Sequence, residues 1–520
     1  MEQTIFSLLP PFIIVVMVIF TKRVLLSLGT GIVIAALFLA NFSVGNTFSI
    51  LWSTFKGVFV LEGTLNTWNI FILLFIIFLG IVTAFINVLG GTKAFGDWAM
   101  KRVKTRAGAQ VMTAIFGLVI FIDDYFNSLA VGQIARPITD RHRVSRTKLS
   151  YIIDSTSAPV CVVSPISSWG AYIIGIIGTI LTLHQVTEYS ALLAFIKMIP
   201  MNLYVWSTLG LVFLVALRGI DFGPMKTHEV RAIETGEVTD PHQPVSGDFT
   251  RPLPSSEHGE VSDLILPILS LIIATVAAMM WTGVSVIDEK VTLLKIFENT
   301  DVAKSLVYGG LGGLFMTFLL FIRKRFIKKQ LAPRLFLVGV RAGVKSMIPA
   351  CLILIFAWGI VSLIDQLKTG TYLAGIVEKS NLDISFLPFL LFIVAGVIAF
   401  ATGTSWGSFG ILLPIAGEIA AVSDIDLLLP AMAAVLAGAV FGDHCSPISD
   451  TTILSSTGAA CHHIDHVITQ LPYALVAAGI SAIGYIILGL TGSALAGLAT
   501  VIVCLFLMAM KRKNKTVEVK

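Results

Sequence analysis

Five aspartates interrupt apolar stretches of this chain, each beside hydroxyl or amide side chains. They lie in Asp123-Asp124-Tyr125-Phe126-Asn127-Ser128, in Asp154-Ser155-Thr156-Ser157-Ala158-Pro159, and in Asp443-His444-Cys445-Ser446-Pro447-Ile448-Ser449-Asp450-Thr451-Thr452. A charge at the centre of a bilayer costs about 2.5–3.5 kcal/mol on insertion scales, so each needs a partner or a task. Proline removes a backbone donor and frees a carbonyl; with carboxylate and hydroxyl oxygens this makes the hard, oxygen-only surroundings an alkali cation prefers. Asp123, Asp124, Asp154, Asp443 and Asp450 are therefore the candidate charged ligands or proton carriers. Asn127, Ser128, Thr156, Ser157, Thr404, Ser405, Ser446, Thr451 and Thr452 are the candidate neutral ligands. A plainer role stays open for each: Ser and Thr can mend broken backbone by local hydrogen bonds, and Asp123 or Asp124 can cap a helix or pair with Arg136 or Arg141.

Other constellations carry less. Gly403-Thr404-Ser405-Trp406-Gly407 matches the nucleophile elbow of serine hydrolases, but that motif works on a strand-to-helix turn, and here it lies within an apolar helical segment. Enzyme activity is not expected. Cys461, His462, His463 and His466 are close enough to suggest a metal site, yet membrane-edge histidines more often have no such role, and no transition metal or cofactor is expected. The five cysteines show no C-x-x-C spacing and imply no disulfide framework. His444 either titrates near neutral pH or pairs with Asp443, and no essential role is assigned to it.

The elements that must hold these residues are membrane helices. Of 520 residues only 13% are charged and 56% are hydrophobic, against about 25% charged in soluble domains. The net charge of +5 sits in short basic clusters between apolar runs, which marks membrane orientation and not a nucleic-acid partner. Residues 108–135 and 384–420 are too long for one straight helix and are broken at Asp123-Asp124 and at Thr402-Gly403-Thr404-Ser405; they read as re-entrant hairpins. Residues 149–183 and 425–461 carry polar, proline-containing centres and read as unwound spanning helices, tolerated at depth only around a cavity or inside protein. Placing Lys22-Arg23, Lys101 to Arg106, Arg141 to Lys148, Arg323 to Lys329 and Lys511 to Lys515 in the cytoplasm gives about 11 transmembrane helices with the C-terminus inside. The first apolar run lacks a basic n-region and a small-residue cleavage site, so it reads as a retained span. The expected class is an all-α polytopic membrane protein. Its units are a first membrane repeat (1–217), a cytoplasmic linker (218–262) read as mobile, a second repeat (263–490), and a last transmembrane helix with a basic tail (491–520).

The two repeats are visible as self-similarity. Gly80-Ile81-Val82-Thr83 through Gly91-Thr92 returns 279 residues later as Gly359-Ile360-Val361-Ser362 through Gly370-Thr371. Pro159 through Ser167-Ser168-Trp169-Gly170-Ala171 returns at an offset of 288 as Pro447 through Ser455-Ser456-Thr457-Gly458-Ala459. With five spans and a hairpin each, the copies would face opposite ways, the inverted-repeat plan of secondary transporters whose site forms at the midplane from discontinuous helices.

At Phe121-Ile122-Asp123-Asp124-Tyr125-Phe126-Asn127-Ser128 and Gly442-Asp443-His444-Cys445-Ser446-Pro447-Ile448-Ser449-Asp450-Thr451-Thr452 the chain resembles the NhaC family of sodium/proton antiporters, over most of residues 60–490. The resemblance implies a multi-pass exchanger of the cytoplasmic membrane that expels Na+ using inward H+ flow. The partners expected are those two ions and the lipid bilayer; a homodimer is compatible with the sequence. Mechanistically, proton and Na+ would compete at one midplane site containing all five aspartates, because burial disfavours the charged carboxylate and a bound cation favours it. The competing expectation is a Na+-coupled carrier of a small organic carboxylate or amino acid, with Ser167 and Ser168 binding the organic group. A channel would need a continuous polar pore, which the separated breaks do not suggest.

Overall fold

A computed structural model of the chain describes all residues except 1, 22, 62, 122, 166, 241–253, 288–290, 370–371, 373–383 and 511–520. The basic tail, the middle of the linker, and Gly370 and Thr371 of the repeat therefore lie outside the described residues. The rest is mostly helical, with one two-stranded antiparallel ribbon, Val60–Leu61 against Thr64–Leu65. Among the described residues seven helices are long and apolar enough to cross a bilayer, or eight if the bent pair Ala191–Met201 and Leu203–Arg218 is one span. Several other apolar helices are shorter, 10–17 residues, below the roughly 20 that cover a hydrocarbon core unbroken. Backbone interruptions account for some of that shortness.

The interruptions fall where polar residues break the apolar runs. Arg106–Val119 stops and Asp124–Arg141 begins, with Asp123 as the cap accepting from Phe126 N at 3.0 Å. Asn127 Nδ2 faces the carbonyls of Gly117 (2.7 Å), Ile120 (2.6 Å) and Thr156 (3.3 Å), supplying the donor that the lost helix turn no longer provides. Leu387–Thr402 ends on Gly403, whose φ of +71° suits a residue without Cβ, and Ser405–Ser423 follows. Arg146–Thr156 is separated from Ser168–Leu183 by a single turn, Ala158–Cys161, and loop. Leu428–Cys445, Asp450–Gly458 and His463–Thr491 form the other broken run. Ser446 Oγ reaches Phe400 O at 2.9 Å and so ties that run to the Leu387–Thr402 helix.

The two halves interlock. Thr67–Leu89 packs on Val302–Ile322 and Arg334–Gln366, and Asp124–Arg141 packs on Asp450–Gly458. At the second contact the backbones touch: a Cβ on Gly132 would lie 2.4 Å from the Gly458 carbonyl, and one on Gly458 would lie 2.3 Å from Ser128 O. Neither backbone can yield alone. Gly458→Ala is expected to destabilise by at least about 1–3 kcal/mol, the usual cost of overpacking; a thermal-aggregation curve of detergent-purified protein coinciding with wild type would contradict this contact.

The two described ends of the linker are held against the membrane helices. Pro224–Thr235 is a helix, and its Glu229 is buried, accepting from Ser145 N at 2.8 Å and ion-paired with Arg106 and, at 3.6 Å, with Lys148. Lys148 also pairs with Asp221. At the linker's other end Ser256 N donates to Val88 O (2.9 Å), and buried Lys324 reaches Asp263 Oδ2 (2.5 Å), Leu89 O (2.9 Å) and His258 O (2.9 Å). Charged side chains, which low hydrophobicity does not reveal, anchor these ends.

Candidate functional site

Three breaks, Ile120–Asp123, Gly403–Thr404 and Ser446–Ser449, bring carboxylates from both halves to one place. Asp443 ends its helix with Oδ2 accepting from Ser405 Oγ (3.0 Å) and Thr451 Oγ1 (3.4 Å), while its buried Oδ1 has no hydrogen-bond partner among the described residues. Asp450 opens the next helix; its Oδ1 accepts from Thr451 N (2.9 Å) and its Oδ2 from the Tyr125 hydroxyl. Asp124 accepts from Trp169 Nε1 at 3.0 Å through Oδ1, and its buried Oδ2 is likewise without a partner. Asp124 lies within electrostatic reach of Asp123 and Asp450, and Asp443 of Asp450. Among the described residues the fully buried lysines, Lys148 and Lys324, are used elsewhere, on Asp221 and Asp263. Buried carboxylates without cationic partners are costly unless a proton or a cation joins them.

A cavity of about 350 Å³ lies between the halves beside this cluster. Trp68, Asn69 and Tyr125 line it from the first half; Trp358, Thr404, Trp406 and Asp450 are among its lining residues from the second. A cation reaching Asp450 through it would meet carboxylate, phenol, hydroxyl and backbone oxygens.

Asp154 lies within electrostatic reach of Asp443, but its carboxylate is held by a different set of partners. Its Oδ1 accepts from Ser455 Oγ (3.1 Å), and its Oδ2 from Gln470 Nε2 (2.6 Å) and His466 Nε2 (3.1 Å). His444 Nε2 is 3.9 Å from that oxygen and 3.2 Å from Ser155 Oγ, and its Nδ1 meets the Tyr204 hydroxyl at 2.8 Å. His444 thus turns from Asp443 toward Asp154. Both oxygens of Asp154 are occupied by side-chain donors, so it has less need of an ion than Asp443 or Asp124.

The neutral candidates divide in the same way. Thr404, Ser405 and Thr451 stand at the acid cluster or its cavity. Thr156 bonds back to Ile152 O (2.7 Å), Ser157 to Asp154 O (3.0 Å), Thr452 to Asp443 O (3.4 Å), and Asn127 and Ser446 mend backbone as above. Ser128 meets Ser455 at 3.1 Å. Ser167 Oγ accepts from Gly170 N (2.9 Å) as a helix cap. Tyr125, Trp169 and Gln470 were not singled out by the sequence; Tyr125 and Trp169 stand inside motifs quoted for their neighbours, and nothing local marks Gln470. His466 stood in the possible metal group, but among the described residues no three His, Cys, Asp or Glu side chains are set to hold a metal ion. His463 instead meets Pro447 O at 2.8 Å. Ser405, the residue of the hydrolase-like motif, bonds to Asp443 and to Ala439 O (3.2 Å).

Comparison with known proteins adds a second line of observation. Residues 160–490 match a family described as the Na+/H+ antiporter family. A protein of Haemophilus influenzae, described only as uncharacterized, is 46% identical over 517 residues, covering 99% of this chain and 96% of its own length. Shorter matches are to a malate-2H(+)/Na(+)-lactate antiporter of Bacillus subtilis, 33% identical over 157 residues (28% of this chain, 31% of that protein), and to an uncharacterized Na(+)/H(+) antiporter of Haemophilus influenzae, 39% identical over 100 residues (19% and 21%).

Proposed function

Because the chain belongs to the Na+/H+ antiporter family, we propose that this multi-pass membrane protein exchanges cytoplasmic Na+ for external H+ across the cell membrane by alternating access. The observation that carries the reading is the convergence of Asp124, Asp443 and Asp450, from both halves, beside one cavity, with one oxygen each on Asp124 and Asp443 that no donor among the described residues satisfies. Either a proton or a sodium ion neutralises such a group, and each excludes the other. Exchange follows from that exclusion. Asp443, Asp450 and Asp124 hold the ion or the proton, Asp123 caps the adjoining helix, and Ser405, Thr451 and Thr404 complete the oxygen set. The order of elements supports inverted repeats: one long helix, a broken pair and an unwound helix occur as Thr67–Leu89, Arg106–Arg141 and Arg146–Leu183, and again as Arg334–Gln366, Leu387–Ser423 and Leu428–Gly458. About eleven spans with the C-terminus inside satisfy the basic clusters, and relative rocking of the halves would expose the site to each side in turn.

The test uses purified protein in liposomes: an imposed Na+ gradient is expected to drive proton movement, read as internal pH, with no organic solute present. A second reading, Na+-coupled carriage of a small organic molecule, is favoured by the malate/lactate relative; it requires proton or Na+ movement that appears only with the organic solute. Within the first reading Tyr125→Phe removes the hydroxyl that orients Asp450. The apparent half-saturation for Na+ should rise roughly three- to tenfold, the effect of a hydrogen bond contributing about 1 kcal/mol; an unchanged Na+ titration would remove Tyr125 from the site.

A further inference from the structure

Resting on that reading, we propose that the cavity between the halves also binds an organic ammonium or guanidinium cation, which competes with Na+ for Asp450. The cavity of about 350 Å³ falls in the size range of small-molecule sites, about 300–1,000 Å³. A bare sodium ion needs a close shell of oxygens, and an ion in the middle of this space would face mostly carbon. Its walls include Trp68, Trp358, Trp406 and Tyr125. Trp406 is held in place by Tyr172, tilted against it at 4.7 Å between ring centroids, and by Trp169 edge-on at 5.7 Å. Aromatic faces attract a cation within about 6 Å, and several rings with one carboxylate form the usual cage for an alkylated ammonium.

The sign of the charge follows from the lining. Asp450 is its ionisable carboxylate, and no Lys, Arg or His lines it among the described residues. An organic anion would find no countercharge there. Asp450 accepts one hydrogen bond on each oxygen, from Thr451 N and Tyr125, which leaves about half of a carboxylate's four acceptor sites for a bound cation. The same carboxylate serves Na+ in the proposed exchange, so the two occupants must exclude one another.

Benzyltrimethylammonium is a suitable probe, because its charge is fixed and it cannot carry protons. It is expected to inhibit Na+-driven proton movement in proteoliposomes competitively with Na+, and to change the tryptophan fluorescence of detergent-purified protein with an apparent Kd that rises as Na+ is added. Trp68→Leu and Trp358→Leu, which remove ring faces but no oxygen, should each weaken probe binding roughly two- to thirtyfold, the range of one cation–π contact. The proposal is overturned if benzoate competes with Na+ as well as or better than the cation, if both variants bind the probe with wild-type affinity, or if the probe alters neither exchange nor fluorescence. Liposomes that show no Na+-driven proton movement would defeat the exchange reading instead, and the fluorescence titration would still decide the cavity's occupant.

Discussion

Asp450→Asn and Asp443→Asn proteins are expected to insert and purify like wild type and to show no Na+-driven proton movement in everted vesicles or liposomes. Asparagine keeps the shape of aspartate and can still accept through one oxygen, so the contacts from Ser405 to position 443 and from Tyr125 to position 450 can persist. It cannot take up a proton, and it brings no charge to a cation. Losing one charge-assisted contact costs about 1.5–3 kcal/mol, and losing one carboxylate of the set that exchanges the proton for the cation stops coupled turnover. Asp154→Asn is the internal comparison. That carboxylate is satisfied by Ser455, Gln470 and His466, so its replacement should leave the half-saturation for Na+ near the wild-type value, whatever it does to the maximal rate. Wild-type exchange in both the Asp443 and the Asp450 variants would sink the assignment, and loss of Na+ affinity confined to Asp154→Asn would reverse the two clusters' roles.

The breaks were legible because their causes are local. Thr402-Gly403-Thr404-Ser405 announces a stop inside an apolar run, and the helix ends at Thr402 and resumes at Ser405; Ser446-Pro447 does the same after Cys445. The grouping of the acids was not legible. Asp154 carries the same flanking Ser and Pro as Asp443, but its partners His466 and Gln470 are 312 and 316 residues away, and no pattern in one chain selects them. The number of spans was also beyond composition alone, since interrupted helices of 10–17 residues and whole spans share one hydropathy. The ends of the linker were also not legible. Polar composition argued for mobility, whereas Glu229 and Asp221 are buried because Arg106 and Lys148 wait for them at the ends of membrane helices.

Lys148→Met is expected to cost more stability than Gly458→Ala. Lys148 is fully buried, and its side chain meets Asp221 and Glu229, which are themselves 4% and 2% exposed. Methionine fills the space of the aliphatic stem but leaves two carboxylates out of water, with Arg106 still beside Glu229 alone. Breaking a buried pair from one side costs about 3–5 kcal/mol. Thermal aggregation in detergent should shift far down, and adding Asp221→Asn should recover part of the loss by removing the orphaned charge. The pH dependence has a definite sign. Burial opposes ionisation of Glu229, but Lys148 and Arg106 outweigh it and hold its carboxyl below the ordinary range. A depressed carboxylate stabilises the fold above its unfolded pKa of about 4.3, and that contribution is lost as the pH falls through the folded value. Asp221 runs the other way: burial, assisted by the charge of Glu229, raises it despite Lys148, so its contribution improves on acidification. In the methionine variant both carboxyls lose their lysine, and the melting difference from wild type should therefore narrow between pH 7.5 and pH 5 as the orphaned acids protonate. A variant that melts with wild type at pH 7.5 would mean that the linker helix contributes nothing to holding the membrane helices together.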